Sequence, residues 1–205
     1  MVNVKNYIIG HCINIVNYDN RFDETKLAEI KYGLEGLYLQ LSKLIIISII
    51  AILLNVFKEL VILLLIYNII RSTSFGLHAT KSWICLVSST LIFIGSTLLA
   101  KYLVIPMYIK SIISVILIYF IFKNSPADTK KKPIVNPKRR LFYKYCSTFI
   151  AIVFAYLSIL IHNNFLSNCF ILSLLVQSFM ISPAIYKLFG LPYNNYLNYM
   201  DKCNI

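Results

Sequence analysis

Long apolar blocks rich in Ile, Leu, Phe and Tyr run through this sequence, separated by short clusters that hold nearly all of its Lys, Arg, Asp and Glu. Hydrophobic residues make up 59% of the 205 positions, more than an ordinary soluble domain carries. A chain of this length has no interior large enough to take that surface out of water, so a bilayer must be part of its solvent. Inside hydrocarbon the backbone has to satisfy its own hydrogen bonds, and blocks of this kind do so as helices. The expected fold is all-α, a polytopic membrane helical bundle forming one domain over residues 1 to 205.

A helix needs about 20 apolar residues to cross the hydrocarbon. Spans are predicted near residues 38 to 57, 60 to 77, 84 to 104, 107 to 123, 146 to 161 and 165 to 187, about six in all. Turns fall at Lys58-Glu59, at Lys101 to Pro106 and at His162-Asn163-Asn164, and connections this short make neighbouring helices antiparallel. Residues 1 to 43 mix charges of both signs and hold no short apolar run with a cleavage site after it, so the first span is expected to direct insertion. Before it, Leu27, Ile30, Leu34, Leu37 and Tyr38 recur at helical spacing among charged residues. Residues 21 to 38 are therefore expected to form an interfacial amphipathic helix within a cytoplasmic region covering 1 to 37.

With the N-terminus in the cytoplasm, every one of the 20 Lys and Arg except Lys58, Lys101 and Lys110 falls on the inner side. The positive-inside rule favours that orientation and an even number of crossings, since an error of one span would scatter the clusters over both faces. Both termini, the segment from 71 to 85 and a basic loop over 123 to 145 are thus expected in the cytoplasm. The net charge of +12 is explained as retention charge meeting anionic headgroups. No recognition helix or stacking platform accompanies the basic run, so nucleic acid is not an expected partner. The five cysteines form no CxxC pair and are odd in number, which argues against a disulfide framework.

Chemistry concentrates between the second and third spans, in Arg71-Ser72-Thr73-Ser74-Phe75-Gly76-Leu77-His78-Ala79-Thr80-Lys81-Ser82-Trp83-Ile84-Cys85. Ionisable groups near membrane depth are costly and mark function by default. A cysteine nucleophile needs a base to form thiolate and an acid to protonate the departing amine, and histidine can do both. His78 and Cys85 are the candidate dyad. Seven residues along a straight helix would hold their Cα atoms roughly 10 Å apart, too far for a hydrogen bond. Residues 72 to 84 are therefore predicted not to be one unbroken helix, with Gly76 and the Ser-Thr-Ser run as the places to break it. Arg71 is expected either to hold a substrate carboxylate or to order this loop, and Gly76 to permit its backbone shape. His162 and Cys169 share the same spacing but sit at an outer turn, and His11 beside Cys12 points in a different direction; both pairs are expected to be structural.

Arg71, Gly76, His78-Ala79 and Cys85 resemble the signature of the AgrB family, membrane cysteine endopeptidases of bacterial quorum sensing. The resemblance continues through Ile30-Lys31-Tyr32-Gly33-Leu34-Glu35 and through Pro126-Ala127-Asp128-Thr129-Lys130-Lys131-Lys132-Pro133-Ile134. One departure is Phe75, at a place where many members carry glycine. The resemblance implies a multi-pass protein of the bacterial plasma membrane that cleaves the C-terminal part of an AgrD-like precursor peptide through an acyl-enzyme thioester. The remainder would close into a cyclic autoinducing peptide. It also implies Cys85 as nucleophile, His78 as base and then acid, Glu35 as a contact on the catalytic side, a homodimer, and no metal or organic cofactor. Ser88, Ser89, Gly95 and Ser96 would allow the close helix contact that a dimer needs. Lys130, Lys131 and Lys132 could attract acidic residues of the precursor by charge, and Asp128 could orient His78 as third groups do elsewhere. A peptide exporter and a non-catalytic membrane scaffold are the rival readings. The lack of an internal repeat and the few buried charges speak against the exporter.

Overall fold

The computed structural model describes residues 2–17, 22–77, 82–129, 133–197 and 199. His78 and Lys130 to Lys132 lie outside this set. Among the described residues every regular element is a helix: α1 (Val2–Val16), α2 (Glu24–Leu53), α3 (Phe57–Ser74), α4 (Ser82–Tyr102), α5 (Met107–Asn124), α6 (Pro137–Leu160), α7 (Asn164–Met180) and α8 (Pro183–Leu188). The chain divides into two compact units, Met1–Ile52 and Leu53–Ile205.

In the first unit, Asp23 stands just before α2 and its carboxylate accepts from the Glu24 N–H at 2.8 Å and the Thr25 hydroxyl at 3.0 Å, satisfying donors that a helix start leaves free. The amphipathic stretch and the first span, read from the sequence as separate elements, form one helix of 30 residues. Gly33 and Gly36 are the weakest helix formers before the point where the two elements were read to meet, and a glycine costs only about 1 kcal/mol in a helix interior. Nothing there enforces a stop. Further along α2, Leu41, Leu44, Ile45, Ile49 and Ile52 are all exposed, as side chains meeting lipid would be.

In the second unit the break after the first span comes earlier than predicted. Asn55 takes up φ 54°, and Lys58 and Glu59 belong to the first turn of α3. Glu59 reaches across to Lys101 at 2.7 Å, and the Lys101 ammonium also donates to the Asn55 carbonyl at 3.2 Å. The turns at 103 to 106 and 161 to 163 fall where the sequence places them. α6 begins at Pro137, inside the segment expected to be loop through residue 145. Asn136 caps it by accepting from the Lys138 and Arg139 N–H groups, and proline at the first helical position loses no bond there. Lys138, Arg139, Arg140 and Lys144 are therefore helical. The last span ends at Met180 rather than running to 187, because Pro183 disfavours helical geometry in the residue before it.

Four helices, α2, α4, α5 and α6, are long and apolar enough to cross a membrane. α3 carries Lys58, Glu59 and Arg71 within its 18 residues, and α7 is a shorter apolar helix of 17. α7 is the hub, packing against α3, α4, α5 and α6. Cys169, Ile171, Leu172 and Leu174 on α7 join Leu63, Ile70, Leu117, Ile121, Ala151 and Phe154 in the core. Large apolar side chains on the outside, among them Leu65, Leu91, Val115, Tyr119, Phe149 and Tyr156, face the lipid side that such a fold requires. The molecule is a membrane-embedded helical bundle.

Lys110 is buried near the start of α5, only 4% exposed. Its ammonium donates to the Ser167 hydroxyl at 2.6 Å, and that hydroxyl in turn donates to the Ser158 carbonyl. No carboxylate pairs with it among the described residues. Removing only the acceptor should leave an ammonium stranded, so Ser167→Ala is expected to destabilise the bundle by about 1–3 kcal/mol. Lys110→Met, which keeps the length and removes the charge, should match or exceed the wild type. Thermal melting of the two variants in the same detergent checks this ordering; the reverse order would refute it.

Candidate active site

α3 ends at Ser74 because the next two residues leave helical space: Phe75 takes φ 55° and ψ −137°, and Gly76 takes φ 119°. The carbonyls just past a helix end have no intrahelical donor. Arg71 supplies donors to three of them, folding its guanidinium over the end of its own helix. Nη1 donates to the Phe75 carbonyl at 2.5 Å, while Nη2 donates to the carbonyls of Gly76 at 3.2 Å and Leu77 at 2.9 Å. The planar fork of donors suits this task, and the cation also complements the negative end of the helix dipole. Of the two roles expected for Arg71, the geometry matches the ordering of the loop.

The same three residues are tied to distant parts of the chain. Phe75 forms a parallel bridge with Ala127: the Gly76 N–H donates to the Ala127 carbonyl at 2.9 Å and the Ala127 N–H to the Ser74 carbonyl at 3.1 Å. The Leu77 N–H donates to the Met180 carbonyl at 3.0 Å, and Gln177 Nε2 donates to the Phe75 carbonyl at 2.9 Å. Gly76 has no room for a side chain. A Cβ there would lie 2.5 Å from Arg71 Nη1 and 2.8 Å from the Met180 carbonyl oxygen. Phe75 holds a sparsely populated positive-φ conformation that costs an L-residue roughly 1–3 kcal/mol. Its carbonyl is held by two donors, and its ring stands edge-on to Tyr143 with centroids 4.9 Å apart.

Asp128, next to the bridging Ala127, is buried and faces the C-terminal segment. Its carboxylate accepts from the backbone N–H of Asn195 at 3.1 Å and of Tyr196 at 2.8 Å, with the Arg140 guanidinium 3.9 Å away. The guanidinium also lies over the Tyr196 ring, 3.6 Å from its centroid. The Asp128 carbonyl accepts from the Tyr186 hydroxyl at 3.0 Å. Burial pushes the Tyr186 phenol up, so it remains a donor at all physiological pH. Both carboxylate oxygens of Asp128 are thus engaged by residues far along the chain.

Cys85 sits in the first turn of the described part of α4, half-buried, its Sγ 4.0 Å from the Ser89 hydroxyl. The chain leaves helical geometry at Phe75-Gly76, as the sequence predicts, and no unbroken helix runs from 71 to 90. Glu35 lies half-buried on α2. Of the other histidine and cysteine pairs, His162 is exposed at the α6–α7 turn while Cys169 is fully buried. His11 is exposed beside a half-buried Cys12. The structure brings Arg71 and Gly76 into direct contact and ties both to the strand of chain bearing Asp128. Sequence reasoning missed Gln177, Met180 and Tyr186 as parts of this assembly. A polar amide inside an apolar block was the one available signal for Gln177.

An all-helical membrane bundle, with a loop stapled by arginine before a half-buried cysteine, defines a class of integral membrane protein built around one helix break. Comparison narrows the class. The chain belongs to the accessory gene regulator B (AgrB) family, whose model matches residues 6–181. It is 29% identical over 184 residues to an AgrB-like protein of Clostridium acetobutylicum, covering 90% of this chain and 88% of that one. It is 28% identical over 169 residues to accessory gene regulator protein B of Staphylococcus aureus, covering 82% and 89%. An AgrB-like protein of Listeria monocytogenes is 27% identical over 177 residues, covering 86% and 87%. No solved structure matches. Family membership supports a role in quorum sensing.

Since Gly76 combines a positive φ with two close approaches, Gly76→Ala should destabilise the loop by about 1–3 kcal/mol. Gly36→Ala serves as the control, because a Cβ there meets nothing within 4 Å. Melting midpoints that fall for both variants alike, or for neither, would contradict the reading of Gly76.

Proposed function

We propose that this protein is a cysteine endopeptidase of the bacterial cell membrane. It cuts the C-terminal part from an AgrD-like precursor peptide and promotes closure of the remainder into a cyclic thiolactone or lactone signal. One observation carries the reading: the chain breaks out of α3 directly before His78, with Cys85 in the first described turn of α4. Membership of the AgrB family supports it.

In this mechanism His78 takes the proton of the Cys85 thiol as the sulfur attacks the scissile carbonyl. The carbon–nitrogen bond breaks, His78 returns the proton to the departing amine, and a thioester links Cys85 to the N-terminal part of the peptide. A nucleophilic side chain within that part then displaces Cys85, so the ring closes and the thiol is regenerated. Water must be kept out for exchange to win over hydrolysis, and the edge of the hydrocarbon supplies that dryness. Arg71 and Gly76 shape the loop that bears His78. Asp128 acts through the same loop, since its carboxylate is already committed to Asn195 and Tyr196. Glu35 supplies a contact on the catalytic side, and Lys130, Lys131 and Lys132 attract acidic residues of the precursor. Both termini and the site face the cytoplasm, and the protein works as a homodimer.

Cys85→Ala and His78→Ala should each abolish cleavage of the precursor in proteoliposomes, and a thiol-reactive peptide should form an adduct on Cys85 alone. Cleavage that persists in Cys85→Ala would refute the peptidase reading. Replacing Lys130, Lys131 and Lys132 together by Gln should raise KM more at low salt than at high salt, because exposed charges are screened. Equal KM values at low salt would remove these residues from substrate binding.

A further inference from the structure

We infer that Gln177 is a positioning residue for the thiol chemistry: its amide fixes the Phe75 carbonyl, and through it the backbone that delivers His78 to Cys85. The inference rests on the dyad proposed above and adds to it the element that sets the register of the two partners.

Gln177 lies in the last turn of α7, fully buried. Its Nε2 must face the Phe75 carbonyl, which can only accept, and the contact measures 2.9 Å. Arg71 holds the same oxygen, but Arg71 belongs to α3, the helix that runs into the break. It shapes the loop without fixing where the loop lies. Gln177 comes from a different helix, 102 residues along the chain, and therefore fixes position.

Three residues further on, the Met180 carbonyl accepts from the Leu77 N–H. The end of α7 thus grips the residues on both sides of Gly76, and Leu77 directly precedes His78. α7 also packs against α4, the helix that carries Cys85. One helix therefore holds the residue before His78 and packs against the helix that bears Cys85.

Gln177→Met tests the inference, because methionine keeps length and bulk but cannot donate. The full chain in lipid nanodiscs is alkylated with iodoacetamide across a pH series, and modification is read at the Cys85 and Cys169 peptides by mass spectrometry. Wild type should show a reactive arm at Cys85 near neutral pH that disappears in His78→Ala. Gln177→Met should lose the same arm, with kcat for precursor cleavage down about 10- to 100-fold and KM little changed. The double variant should match His78→Ala alone. A wild-type alkylation profile in Gln177→Met overturns the inference while leaving the dyad intact. Cys169, fully buried in wild type, reports on packing: if it becomes reactive in Gln177→Met, the amide serves the fold and the inference falls. If His78→Ala leaves the Cys85 profile unaltered, the dyad itself fails, and the positioning role goes with it.

Discussion

The interaction on which the rest of the site depends is the capture of three successive carbonyls by the Arg71 guanidinium. Those carbonyls, from Phe75, Gly76 and Leu77, lie just past the end of α3, where no intrahelical donor can reach them. The loop is buried at Gly76 and Leu77, and a buried backbone group left unsatisfied costs about 1–3 kcal/mol. A chain that must break its helix here needs a donor that is multivalent, charged and attached nearby. Arg71 meets all three needs from four residues upstream of Phe75. With the carbonyls satisfied, the N–H groups of Gly76 and Leu77 are free to pair outward, with Ala127 and Met180. One side chain thereby converts a helix terminus into a junction of three elements.

Association of the surrounding helices cannot draw on the hydrophobic effect as a soluble core does, because lipid tails are as apolar as leucine. The bundle relies on close approach and on polar pairs. Ser125 and Ser147 meet hydroxyl to hydroxyl at 2.6 Å, and Asn168 reaches from α7 to the carbonyls of Ala100 and Leu103 at the end of α4. Ala100 and Ala151 are fully buried, leaving room for neighbouring backbones. The segment after α7 is held differently. It docks through Asp128, Arg140, Tyr186 and Tyr193, whose hydroxyl lies 3.4 Å from the Asn124 carbonyl. Local sequence signals do not encode such contacts.

That contrast explains how much could be read beforehand. Helix positions followed from apolar blocks, and the turns at 103 to 106 and 161 to 163 from proline, asparagine and charge. The break near Gly76 followed from a geometric requirement placed on two side chains. The continuity of α2 was hidden because its polarity changes midway, which looks like a boundary although the backbone has no reason to stop. The early start of α6 was signalled by Asn136-Pro137, but basic residues after it read as loop. Within the site, Arg71, Gly76 and Cys85 stood out by residue type. Gln177, Met180 and Tyr186 did not, because their roles arise from pairings of 58 to 103 residues' separation that no window along the sequence contains.

The length of α7 has a further consequence. Its 17 residues rise about 26 Å, a few ångströms less than the roughly 30 Å of a typical hydrocarbon layer. A helix this short would match lipid poorly on its own, but ten of its residues are buried among its neighbours. It therefore meets α3 to α6 more than lipid, and its end at Met180 is spent on the Leu77 N–H.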